Sequence, residues 1–265
     1  MTSRADQVIA ALRSGHDELA DYVERLAPQD LTHRSGASEW DVSQVLSHLG
    51  SGAEIGLATL TGALDGAGPA GMDFNKAVWA RWDAMSPAER AAGFPVADRN
   101  LVELYESLTA EQRENLRVDL GFLPQPVDLA TAGTFRLNEF ALHSWDVKVG
   151  FDEKATLAPE AVEPMLELVP FVAPFLGKPD QLEGRSVSLA VQLTDPARSF
   201  GLEISDKIAF TAEPPASPDG TLSLTAETWL RLVSGRLGPR NTPDSVNLTS
   251  DSVDLDLLRK VFPGY

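Results

Sequence analysis

Few side chains in this 265-residue chain ordinarily exchange a proton near neutral pH. There are four histidines, His16, His33, His48 and His143, and no cysteine. Chemistry is densest around the last histidine, in Arg136-Leu137-Asn138-Glu139-Phe140-Ala141-Leu142-His143-Ser144-Trp145-Asp146. On a helix each residue turns ~100°, so positions three and four apart share a face. Arg136, Glu139, His143 and Asp146 then form one polar ribbon, with Phe140 on one side and Phe135 and Leu142 on the other. Asn138, Ser144 and Lys148 fall opposite and suit water. A ribbon flanked by apolar residues is expected to be buried, and buried ionisable groups need a partner or a metal. Glu139 and His143, at i and i+4, can reach one cation together, as two histidines do in a helical zinc motif. The alternative is an intrahelical Glu139–His143 hydrogen bond with Arg136 and Asp146 as a surface ion pair.

A metal site needs a third ligand. His48 lies on the flank of an apolar stripe, and Gly52 one turn later leaves space beside it. His16 competes, since Leu12, His16, Leu19 and Val23 share a face, whereas His33 sits in a polar loop and is expected to be solvated. The absence of cysteine excludes a disulfide scaffold, a thiolate zinc site and a cysteine nucleophile, so any sulfur chemistry needs a thiol from outside. A net charge of −17 repels a phosphate backbone and argues against nucleic-acid binding. No apolar run approaches the ~20 residues of a membrane helix, and the first residues lack a signal peptide's apolar core. A cytoplasmic protein without a membrane partner is expected.

The elements that must position these groups fall into a helical half and a mixed half, with the boundary expected near residue 152. Apolar periodicity predicts a helix from Ala5 to about Leu26 and a second one starting at Ser38-Glu39-Trp40-Asp41, with the stripe Val42, Val45, Leu46, Leu49 and Ala53. A third runs from Asp73 to about Met85. Short helical pieces are expected at Ser86-Pro87-Ala88-Glu89 and from Asn100 to Leu108, and a long helix from about Thr131 to Gly150. These suggest a bundle of four main helices over 1–152. In 153–265, Pro159 to Leu176 is expected to be helical at its start and interrupted by Pro164, Pro170 and Pro174. Alternating segments at Ser186–Leu193, Ser199–Ile204 and Lys207–Ala212 read as strands, Leu222–Leu224 and Val246–Leu248 as short ones. Helices are expected at Glu227–Leu237 and Val253–Phe262. The fold class is α+β in two domains, with a small antiparallel sheet in the second.

Taken together, Trp40-Asp41-Val42, Leu46-Ser47-His48-Leu49, Asp73-Phe74-Asn75 and Arg136-x-x-Glu139-x-x-x-His143-x-Trp145-Asp146 resemble the mycothiol-dependent maleylpyruvate isomerase family. Thr194-Asp195, Leu230-x-x-Val233-x-Gly235-Arg236-Leu237 and the closing Val253–Phe262 extend the likeness over nearly the whole chain. The resemblance implies a DinB-like four-helix bundle followed by the family's C-terminal domain. It implies metal ligands at His48, Glu139 and His143, a set that suits Zn²⁺ and also accommodates other divalent metals. It assigns supporting catalytic or orienting roles to Asp146 and Arg136, with Arg136 and Asn75 as co-substrate contacts. An arginine of the C-terminal domain is expected at the reaction, with Arg236 preferred over Arg231 and Arg240.

The implied chemistry is a thiolate, formed at neutral pH by a cationic site from the co-substrate mycothiol, that attacks a small electrophile. Addition, rotation and elimination would make a cis–trans isomerase; transfer of the sulfur would make an S-transferase active in detoxification. An arginine would hold a substrate carboxylate or enolate oxygen in an interdomain cleft. Two other classes stay open: a non-catalytic carrier of small ligands or lipids, and a metal-dependent hydrolase with Asp146 or Glu54 as base. Either a monomer or a homodimer is compatible with the sequence.

Overall fold

The computed structural model describes residues 3–264. The first helix, α1 (Arg4–Glu24), starts where Ser3 and Asp6 cap each other, Ser3 Oγ accepting the Asp6 amide at 3.1 Å and Asp6 accepting the Ser3 amide at 3.2 Å. The second, α2 (Val42–Asp65), starts at Asp41 rather than at Ser38. Asp41 accepts the Gln44 amide and Gln44 returns the bond, both at 2.9 Å. That reciprocal pair outcompetes the serine–aspartate pattern one turn earlier. Gly66, at φ 71°, ends α2 in the left-handed conformation that glycine adopts without penalty. Next come α3 (Met72–Asp83), α4 (Pro87–Ser107) and α5 (Ala110–Asn115), a two-residue ladder β1 (Arg117–Val118) with β2 (Val127–Asp128), and α6 (Leu129–Val149).

The sequence divides α4 into two pieces, but the structure has one helix with Pro95 inside it. Fully buried Phe94 and Leu101 flank the proline, and their packing offsets the backbone hydrogen bond that a proline removes. Helices α1, α2, α4 and α6 form the bundle: α2 lies on α4 and α6, and α1 on the same two. The predicted stripe of α2 is its core face, since Val42, Val45, Leu46, Leu49 and Ala53 are wholly buried. Each such leucine contributes roughly 1.5–3 kcal/mol of burial. The far side of α6, predicted to suit water, is covered instead. Ser144 is buried and Lys148 pairs with Glu18 of α1 at 2.8 Å. Following α6, the chain folds back on it, Trp145 Nε1 donating to Ala155 O at 2.8 Å.

Trp82 is tightly fitted between α2 and α4. Its indole is 1% exposed, donates to Glu54 at 3.0 Å, and lies against Gly50 of α2 and Gly93 of α4. A Cβ at Gly50 would stand 2.1 Å from the ring. Gly50→Ala is therefore expected to destabilise by about 1–3 kcal/mol of overpacking, despite alanine's better helix propensity. A thermal melt checks this, and an unchanged or raised midpoint would refute the packing account.

The chain divides into two compact units between Ala161 and Val162. Helix α7 (Pro159–Leu166) crosses that division with Pro164 inside it, and α8 (Val169–Leu176) follows a break just before Pro170 and holds Pro174, so only Pro170 falls at the interruption expected of all three prolines. The second unit holds β3 (Val187–Thr194), β4 (Arg198–Ile204), β5 (Ile208–Thr211), β6 (Gly220–Thr225), α9 (Ala226–Val233), β7 (Asn247–Ser250) and α10 (Leu255–Val261). Its five strands run in the order β5-β4-β3-β6-β7, antiparallel except for the central β3–β6 pair, which is parallel. Trp229 of α9, 1% exposed, packs edge-on against Phe200 and Phe262. No described helix is long and apolar enough to cross a membrane.

Candidate metal centre

Helix α2 and the facing side of α6 bring three donors together. His48 projects from the second turn of α2, Glu139 and His143 from successive turns of α6. His48 Nε2 lies 3.2 Å from Glu139 Oε2, and His143 Nε2 lies 3.8 Å from the same oxygen. One donor atom from each residue falls within 4.8 Å of the others. Ligands ~2.0–2.1 Å from one zinc in tetrahedral geometry stand roughly 3.3 Å apart, so this cluster fits a single cation with small adjustments. His143 is buried, whereas the His48 and Glu139 side chains are each 38% exposed, which leaves a side open to a small molecule.

Asp146 lies against His143. Its carboxylate, with no exposed surface, is 2.8 Å from His143 Nδ1. An acceptor there favours a proton on Nδ1, which would leave Nε2 to face a cation. Asp146 is itself anchored through its carbonyl, which accepts the Gly36 amide at 2.7 Å. Gly36 is required there, because a Cβ would stand 2.8 Å from the Asp146 carboxylate and 2.7 Å from Val149. Trp40 forms a wall, its ring 5.1 Å from His48 and 5.7 Å from His143 between centroids. The sequence marks Trp40 as part of a helix start and of the family motif; its contact with both imidazoles is tertiary.

The competing ligand His16 is engaged elsewhere. Its Nδ1 lies 2.8 Å from Asp98 Oδ2, with both side chains buried. Arg136 donates to the other Asp98 oxygen at 2.6 Å and to Leu49 O at 3.1 Å, so it forms no surface pair with Asp146. The space beside Gly52 is taken up by this guanidinium, 3.1 Å from where a Cβ would be. Buried Tyr105 lies near the same arginine; burial pushes its phenol up to about 12, and the Arg136 charge offsets part of that. Glu54, a candidate base, is held by Arg81 and by the Trp82 indole. Asn75 is half-buried at the start of α3.

Arg236 departs from the predicted helical position. Helix α9 ends at Val233, and Gly235, at φ 74°, turns the chain. The Arg236 amide donates to Arg231 O at 2.7 Å and the Gly235 amide to Leu232 O at 3.1 Å, which is a Schellman ending. Arg236 is buried and its Nη1 donates to Ser234 O at 3.0 Å. Arg231, 2% exposed, is held by Glu227 at 2.6 Å and by Asn241 O at 2.7 Å. Arg240 lies in an exposed turn.

The family model for the mycothiol maleylpyruvate isomerase N-terminal domain matches residues 12–148, a span that holds the three donors and Asp146. Among solved structures, mycothiol-dependent maleylpyruvate isomerase is similar over 96% of this chain and 98% of that chain, with a TM-score of 0.65 at 14% identity. A histidine-to-alanine mutant of mycothiol-dependent maleylpyruvate isomerase is similar over the same shares, with a TM-score of 0.65 at 13% identity. At those identities the likeness is one of fold. No curated protein matches the sequence at a significant level.

Proposed function

The chain belongs to the mycothiol maleylpyruvate isomerase N-terminal domain family, and on that premise we propose that it is a metal- and mycothiol-dependent enzyme that adds a thiol to a small electrophile. The observation that carries this reading is the His48–Glu139–His143 cluster, two imidazoles and a carboxylate with donor atoms within 4.8 Å, partly open to solvent. Zn²⁺ is the favoured occupant, and other divalent ions suit the same donors. A divalent cation held there would supply the positive charge that favours the thiolate of a bound thiol at neutral pH. Since the chain has no cysteine, the thiol is a co-substrate. That co-substrate stays reduced in the cytoplasm, where the reading places the protein.

The chain's own residues do the rest. His48, Glu139 and His143 bind and orient; Asp146 holds the proton on His143 Nδ1, so that Nε2 stays a donor of electrons. In this reading Arg236 binds a carboxylate or developing enolate oxygen of the electrophile, and Arg136 and Asn75 act in holding the co-substrate. Isomerase and S-transferase chemistry share the thiol-addition step and differ in whether the sulfur leaves again.

The test pairs metal analysis of the purified chain with its thermal midpoint in the presence and absence of mycothiol. About one equivalent of metal, and a midpoint raised by mycothiol in the loaded protein only, are the expected results. Metal without a thiol effect would overturn the mycothiol assignment and favour a hydrolase; no uptake of added Zn²⁺ would overturn the metal site. Incubation with maleylpyruvate then separates the two chemistries, since an isomerase returns the trans product without consuming thiol.

A further inference from the structure

A second buried polar cluster lies in the first unit, and every helix of the bundle contributes one group to it. His16 comes from α1, Asp98 from α4, Arg136 from α6 and the Leu49 carbonyl from α2. His16 Nδ1 lies 2.8 Å from Asp98 Oδ2, and their side chains are 2% and 1% exposed. Arg136 Nη2 reaches both Asp98 Oδ1, at 2.6 Å, and Leu49 O, at 3.1 Å. Arg136 Nε is buried without a hydrogen bond, so the arrangement is kept at some cost to the fold.

The place of this cluster relative to the ligands gives it a purpose. Leu49 directly follows His48, and Arg136 precedes Glu139 by three residues, about 4.5 Å along a helix. The contact between α2 and α6 is otherwise made by side chains such as Leu46, Leu49 and Phe140, and apolar contact is non-directional. It tolerates small slides of one helix along another. A guanidinium that must meet two acceptors on two different helices tolerates far less, and burial makes a half-made network expensive. Sites that bind metal need their donors within about 0.5 Å of the working geometry.

We propose that the His16–Asp98–Arg136 cluster positions α6 against α2, so that His48 meets Glu139 and His143 around one cation. The inference rests on the reading of those three residues as metal ligands. The cluster acts through the helices, and in this its members are positioning residues, Arg136 in addition to the co-substrate contact proposed for it above.

Zn²⁺ titration of the metal-free, full-length chain tests it, alongside thermal melts and the visible spectrum of the Co²⁺-loaded protein. In Asp98→Asn and in Arg136→Lys, which retains the charge but lacks the fork, zinc affinity is expected to fall about tenfold or more, the scale on which supporting contacts act. The Co²⁺ bands are expected to shift while helicity is retained. Variants that melt earlier yet bind zinc like the wild type, with an unchanged Co²⁺ spectrum, would overturn the proposal and leave the cluster a stabilising contact only. Should Asp98→Asn fail to fold, Arg136→Lys carries the test, with Gly52→Ala as a milder perturbation whose Cβ would stand 3.1 Å from Arg136 Nη1 and push it by a few tenths of an ångström. Failure of the underlying metal reading looks different, because the wild-type chain itself would then take up no zinc, and the proposal would fall with it.

Discussion

Glu139→Ala is expected to leave the purified chain with little or no bound metal. Glu139 Oε2 is the atom that both imidazoles face, at 3.2 Å and 3.8 Å, so its removal takes the shared centre out of the donor set. Zinc sites in small proteins bind with about 10–16 kcal/mol distributed over four ligands, which makes one ligand worth roughly 2.5–4 kcal/mol. Affinity should therefore drop by roughly 10²–10³-fold, enough to lose zinc during purification. The mutated carboxylate is 38% exposed and lies outside the apolar core, so the fold should survive. Elemental analysis beside a melting curve checks both halves. Full metal content in the variant would mean that the cation sits elsewhere or that the histidines suffice. Chelator treatment of the wild type should abolish thiol-dependent turnover, and re-addition of Zn²⁺ should restore it.

Asp146 carries the second large effect. Asp146→Ala removes the partner of a buried imidazole N–H, at a cost of about 1–3 kcal/mol in stability. It also frees His143 to move its proton to Nε2, the nitrogen needed for the cation. Metal affinity should fall roughly 10–100-fold, as it does when the outer partner of a metal-binding histidine is removed. Asp146→Asn separates the two contributions, since its amide oxygen can still accept from Nδ1 while the negative charge is gone. The expected order of zinc affinity is wild type, then asparagine, then alanine, read by competition with a chelator. Nitrogen NMR of His143 gives the tautomer directly. Equal affinity in all three proteins would show that Asp146 has no influence on the site through His143.

Much of this site is local and so could be read from the chain. Glu139, His143 and Asp146 lie within eight residues on one helix, and helical geometry alone puts them on a shared face. The apolar stripe of α2 similarly predicts where His48 stands relative to its own helix. Zero cysteines and a net charge of −17 restrict the chemistry with no fold needed. The break between α7 and α8 falls just before Pro170, in keeping with proline's missing donor, whereas Pro164 and Pro174 lie inside the helices.

Pairings between distant residues depended on the tertiary structure. His16 and His48 both lie on plausible faces, and only the packing of α4 against α1 gives His16 to Asp98 and leaves His48 beside Glu139. The same packing turns Arg136 from one end of a polar ribbon into a tie between α4 and α2. It also buries the side of α6 that its sequence marks as wettable, because serine and a lysine paired with Glu18 are compatible with burial once α1 and the returning chain cover them. At Pro95 local preference and packing pull in different directions, and packing wins, with Phe94 and Leu101 buried in the core. At Gly235 the two agree: a left-handed glycine ends α9 before Arg236, and a Cβ there would stand 2.2 Å from Pro263 O. Spacing along one helix is set by covalent geometry and is therefore written in the chain. The choice among partners on different helices is made by the shapes that fill the core, which no single segment contains.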